Sequence, residues 1–143
     1  MIQRIQSIFL FLGAGSCFSL FGTDAAETDA PVTGSALFAD AEFNLFDDPI
    51  LLGVFALAGA LLLADIFLFR NRKLQMKLSL AAVGLVVIGV AYGAFRFFSD
   101  VAAEAAGPDF GLIFPLLAIV FAYLAKNYIQ KDEKLVRSAD RLR

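Results

Sequence analysis

Histidine is absent from this chain, tryptophan is absent, and cysteine occurs once, at Cys17. Without imidazole the protein lacks the commonest metal ligand and the usual general base near neutral pH. A single cysteine permits no intramolecular disulfide, and with no histidine beside it there is no basis for a zinc, haem or iron–sulfur site. No Walker-type loop, GxSxG elbow or GxGxxG turn occurs. The sequence therefore offers no catalytic residue, no cofactor-binding residue and no metal ligand, and no cofactor is expected. Charge is also scarce, at 18% of the 143 residues.

Apolar residues take the place of these groups. They make up 59% of the chain, where a globular domain holds about 45–50%, and the mean hydropathy is +0.75. An all-α membrane protein with four transmembrane helices is the expected fold, in one domain covering residues 1–143. The spans read as 5–21, 50–69, 78–98 and 110–129, near the ~20 residues a bilayer requires. The third is rich in β-branched residues, but in lipid only helices and closed barrels satisfy the backbone. For the first span two rivals exist: a signal peptide, and a lipoprotein box around Cys17 that matches poorly. A retained helix is the preferred reading. Pro49 falls at the first turn of span two, where a missing amide is harmless; Pro115 lies near the start of span four, and a kink is expected there if that helix begins earlier.

Between spans one and two lies a loop, 22–48, with seven acids and no Lys or Arg. Its second half alternates apolar and acidic residues and is expected to lie against the bilayer surface, as helix or strand. The basic run Arg70-Asn71-Arg72-Lys73, with Lys77, forms the turn before span three, which makes spans two and three antiparallel neighbours. Eleven of the twelve Lys and Arg fall on one side of this four-span scheme. The positive-inside rule then puts both termini in the cytoplasm of a multi-pass inner-membrane protein.

Two charges fall inside spans and are candidates for function by default. Arg96 shares a helical face with Ala82, Gly89 and Gly93. That face should point into the bundle, with Arg96 reaching to Asp100 or the outer-loop acids. Asp65 is turned away from the small-residue face of Gly53, Ala56, Ala60 and Ala64. Its partners would be Arg4 or Gln6 of span one, or another protein, unless it carries a proton. Cys17 has nothing basic nearby to activate it and reads as a small buried helix residue.

The tail, 130–143, continues span four without a helix breaker. Leu135, Ala139 and Leu142 recur at helical spacing, and Glu133–Arg137 and Arg137–Asp140 are favourable pairs. Such a tail is a basic lipid anchor or a docking helix, and its interspersed acids favour docking. The opening MIQRIQS, the turn NRKLQ at 71–75 and the ending DEKLVRSADRLR at 132–143 resemble an uncharacterised family of small four-helix integral membrane proteins of Bacteroidetes-type bacteria. The resemblance implies a retained first helix and an inner-membrane location, and it supplies no activity.

All three resembling stretches fall on the expected cytoplasmic side. A partner-binding face of Arg4, Gln6, Arg72, Gln75, Arg137, Asp140 and Arg141 is expected there. The function read from the sequence is a non-enzymatic accessory or scaffold subunit. The alternative is an oligomeric ion or small-solute transporter or channel component using Asp65 or Arg96. Expected partners are the lipid bilayer, a cytoplasmic or membrane protein, or further copies of the chain, and not nucleic acid.

Overall fold

The computed structural model describes the backbone of residues 2–141 and the side chains of residues 5–139. Four helices dominate it: α1 (Ile2–Ser19), α2 (Pro49–Phe67), α3 (Arg72–Phe98) and α4 (Ile113–Arg141). All four are long and apolar enough to cross a membrane. Each of the four apolar runs is helical, and α4 continues unbroken through the charged tail. The connection between α2 and α3 is shorter than expected. Most of the basic run is inside the first turns of α3, which Asn71 starts by accepting the Leu74 amide at 3.2 Å. Pro115 lies in the first turn of α4, so no kink is needed to accommodate it.

The helices form a ring in which α1 neighbours α2 and α4, and α3 neighbours the same two. Successive helices run antiparallel. Gly13 meets Leu62 while Gly59 meets Phe18 and Cys17, and Gly89 meets Phe55 while Gly93 meets Leu51. One end of the bundle therefore holds both chain ends and the α2–α3 turn; the other holds the long connections.

On α3 and α4 the inward seam carries many small residues. On α4 it is Pro115, Ala118, Ala122, Ala125 and Ile129, stepping alternately three and four. On α3 it is Gln75, Ser79, Ala82, Val86 and Gly89. Small seams let backbones approach closely, which matters where lipid removes the hydrophobic drive between helices. Large side chains such as Phe11, Leu57, Ile88 and Leu116 point outward, as a hydrocarbon solvent allows. The stripe of Gly53, Ala60 and Ala64 also lies outside, so the core face of α2 is Leu51, Phe55, Ala58, Gly59, Leu62 and Asp65.

A wholly α-helical fold is not quite what forms. Three two-residue strands, β1 (Ala26–Glu27), β2 (Glu42–Phe43) and β3 (Gly107–Pro108), pair antiparallel in the order β2-β1-β3. They cross the end of the bundle that holds the long connections, where the Ala25, Thr28 and Asp109 amides donate to the Phe43, Ala41 and Ala25 carbonyls. The second half of the first loop supplies strand β2 and packs back onto the bundle. Leu37 and Phe38 are buried, and Phe38 and Phe43 pack on Phe97 of α3 at ring distances of 6.0 and 6.5 Å. Asp100 pins this cover by accepting from the Ser35 hydroxyl at 2.7 Å and the Ala36 amide at 3.2 Å. The Gly111 amide donates to the Asp24 carbonyl at 2.8 Å, an approach at which a Cβ on Gly111 would collide with that carbonyl.

Candidate functional site

The densest polar chemistry inside the bundle lies at the end that carries the chain termini. Gln6 of α1, Asp65 of α2, and Gln75 and Ser79 of α3 are all completely buried. Asp65 belongs to the last turn of α2, and the α2–α3 turn brings the start of α3 directly back along it. Gln75 and Ser79, four residues apart, then share one face toward Asp65. The Ser79 hydroxyl donates to Asp65 Oδ2 at 2.6 Å. Gln75 Nε2 donates to the main-chain oxygen of Asp65 at 3.0 Å.

Among the described residues these bonds leave four buried atoms without a hydrogen-bond partner: Asp65 Oδ1, Gln75 Oε1 and both amide atoms of Gln6. Three of the four are acceptors. The carboxylate makes no ion pair among the described residues. Buried polar groups are nearly always satisfied, so this layer is chemically incomplete and short of donors. Such a layer can take a proton, a monovalent cation or a polar group of a partner. No group of three or more His, Cys, Asp or Glu that could hold a metal ion occurs among the described residues.

Just outside the polar layer, Arg72 Nε donates to Asp132 Oδ2 at 2.7 Å, bracing the start of α3 against α4. Beyond Asp132 the helix carries the Arg137–Glu133 pair at 3.0 Å and exposes Leu135 and Val136. Aromatic rings mark this level. Phe9 stacks on Tyr128 at 5.3 Å, and Lys131 lies 5.3 Å from the centre of the Tyr128 ring.

At the opposite end a second charged group is fully partnered. Asp48 is buried, caps α2 through the Ile50 amide at 2.9 Å, and accepts from Arg96 Nη1 at 2.5 Å and the Tyr92 hydroxyl at 3.1 Å. Arg96 thus reaches an acid of the long first loop, and it is Asp48 rather than Asp100. With its charge held in this way, Arg96 has a structural occupation. In the nearby loop, burial raises the Asp47 carboxyl above its ordinary range. The Asn44 amide opposes that shift, and Asp40 and Asp24 add to it.

The residues expected to form one partner-binding face are distributed differently. Gln6 and Gln75 lie inside the bundle and cannot contribute side chains to an outer surface. Arg72 is half-buried in its ion pair, and only Arg137 is openly exposed. The side chains of Arg4, Asp140 and Arg141 lie outside the described residues. Ser79 is the site residue that sequence reasoning passed over. The signal was available: the face Ala82, Gly89, Gly93 and Arg96, stepped back by seven and by three from Ala82, lands on Gln75 and Ser79.

No curated protein and no solved structure matches the chain. One family model does, across residues 2–142, a match that takes in all four helices, the loop cover and the polar layer. The chain belongs to that family, described as a domain of unknown function (DUF4293).

Proposed function

We propose that this is an integral protein of the bacterial inner membrane, with both termini in the cytoplasm, that works as a small accessory or scaffold subunit. Eleven of twelve basic residues gather toward the end that carries the termini, which supports that orientation. The observation that carries the function is the length of α4. Asp132 is level with Arg72, the first residue of α3, yet α4 runs on to Arg141. α4 therefore runs on about nine residues past that level, some 13 Å at 1.5 Å per residue, and from Lys134 to Ala139 every side chain is exposed. A short helix is unstable by itself in water. As the continuation of a braced membrane helix it becomes a stiff arm, with Leu135 and Val136 on offer to a partner groove. Its alternating signs of charge suit a protein surface better than an anionic bilayer.

The test is site-specific photo-crosslinking in native membranes from positions 135 and 136. A discrete protein adduct, lost on Leu135→Asp, supports a docking arm. Adducts to lipid alone overturn it.

A second reading is favoured by the unpartnered Asp65 oxygen: the polar layer handles a proton or a monovalent cation, in an oligomeric transporter or channel component. Flux in proteoliposomes that is abolished by Asp65→Asn and retained by Arg96→Lys would support this reading. Equal flux in wild-type and Asp65→Asn vesicles would count against it.

A further inference from the structure

The end of the bundle opposite the polar layer contains a cavity of about 570 Å³, within the range of small-molecule sites of about 300–1,000 Å³. Its walls are α2, α3 and α4, its closed end meets Leu20 after α1, and the paired loop segments form its roof through Ala26, Phe43 and Pro108. Of all its lining residues only Thr23 and Asn44 carry polar side chains. The hollow arises from small residues on the α3 wall, Gly89, Gly93 and Ala94, opposite Pro115 on α4.

The location of the mouth identifies the occupant. The exposed lining residues are Val90, Ala94 and Phe98 of α3, Leu112 just before α4, Leu116 in its first turn, and Pro108 of the roof; all but Pro108 lie along the α3 and α4 flanks. The cavity thus opens sideways between α3 and α4. Both flanks lie within segments apolar enough to span a bilayer, and Val90 and Ala94 sit inward of Arg96, the charged residue near the end of α3. Hydrocarbon, rather than water, faces that opening. An apolar cavity does not fill with water, and one this large left empty would forfeit the contacts of its whole lining. The occupant must be long, apolar and flexible, and it must enter from the side, because the loop cover closes the top.

We propose that this cavity is a lipid-binding site that takes one acyl chain of a membrane phospholipid from the adjacent leaflet. The loop cover acts as its lid, and the headgroup stays outside at the level of Arg96. The inference is independent of the docking arm and of the polar layer, which lie at the other end of the bundle.

Gly93 allows a clean test. A Cβ there would stand 3.5 Å from Leu51, an ordinary contact, so Gly93→Leu projects into the hollow without a backbone clash. Gly84, on the same helix, faces open space and is not part of the lining, so Gly84→Leu is the control. The full-length protein would be reconstituted with phosphatidylglycerol carrying a photoreactive diazirine in one acyl chain, irradiated, and mapped by peptide mass spectrometry. The expected result is adducts concentrated on lining residues of α3 and α4, reduced at least fivefold by Gly93→Leu and unchanged by Gly84→Leu. Either of two outcomes would overturn the site: labelling spread evenly over outward residues such as Phe11 and Leu57, or equal yields in Gly93→Leu and Gly84→Leu. Should Gly93→Leu fail to fold, Ala94→Phe at the mouth serves in its place, with the same two outcomes decisive.

Discussion

Replacing Asp65 with Asn should leave the protein as stable as before or make it more stable, although a fully buried group is being changed. The carboxylate uses one oxygen to accept from Ser79 and leaves the other without a partner, in a layer where Gln75 Oε1 is also unpartnered. Asparagine keeps an acceptor for Ser79, adds an NH₂ donor where donors are lacking, and removes a carboxylate that no ion pair among the described residues offsets. The expected change is between zero and about 2 kcal/mol of stabilisation. Ser79→Ala acts in the opposite direction. It removes the 2.6 Å bond and leaves both Asp65 oxygens unpartnered, which costs about 1–3 kcal/mol. The pair should also be non-additive, because Asn at 65 without the Ser79 hydroxyl is less deficient than Asp is. Reversible unfolding in mixed micelles with increasing SDS would measure all four proteins of the cycle. If Asp65→Asn destabilises by more than about 2 kcal/mol, or Ser79→Ala is silent, then the carboxylate is needed as a charge and the donor-poor description of this layer is wrong. A variant that gains stability but loses a transport activity would mark Asp65 as a site kept at the expense of stability.

Gly59→Leu should destabilise by about 1–3 kcal/mol through overpacking, because even a Cβ there would come within 2.9 Å of the Phe18 ring; Gly53→Leu, which meets nothing within 4 Å, should be silent in the same unfolding assay. Acid should loosen the loop cover. Burial by itself would raise the Asp100 carboxyl, but donation from the Ala102 amide, the Ser35 hydroxyl and the Ala36 and Leu37 amides holds it below the ordinary carboxylate range. A depressed carboxyl contributes its full stability above the unfolded pKa and loses it as pH falls through the folded one. Hydrogen exchange of residues 35–38 should therefore rise at acidic pH, and Asp100→Asn should show the fast rate at every pH. Because Cys17 is the only cysteine and is buried, cysteines placed at Asp29 and Ala139 in a Cys17→Ser background should report topology. With an impermeant maleimide on intact spheroplasts, position 29 should label and position 139 should not; the reverse pattern would invert the proposed orientation.

Much of the architecture was legible without coordinates. Four runs of 17–21 apolar residues leave a chain in lipid no option but helix, and the inward face of α3 followed from the spacing of Ala82, Gly89 and Gly93. The Glu133–Arg137 pair followed from i, i+4 geometry alone. These features depend on length, period and local spacing, which a single sequence carries in full. The seam of α2 was not legible, because small residues mark close packing only when a neighbour is there. Gly53, Ala60 and Ala64 face outward while Phe55 and Asp65 face in.

The polar layer shows the same division. That Asp65 is a functionally suspect acid could be read from its place in an apolar run; that it faces the bundle and is buried could not. That it pairs with Ser79, that Gln6 and Gln75 turn inward instead of forming a surface, and that Arg96 takes Asp48 rather than Asp100 depend on helix rotation about the bundle axis. Rotation is decided by how four seams interlock at once. The three-strand cover and the apolar cavity beneath it are likewise tertiary, because each joins segments far apart in the chain. By itself the sequence determined four helices long and apolar enough to cross a membrane, with the positive charge of the chain gathered at one end. The tertiary structure alone decided which polar groups are left without partners inside it, and where it leaves room for something else.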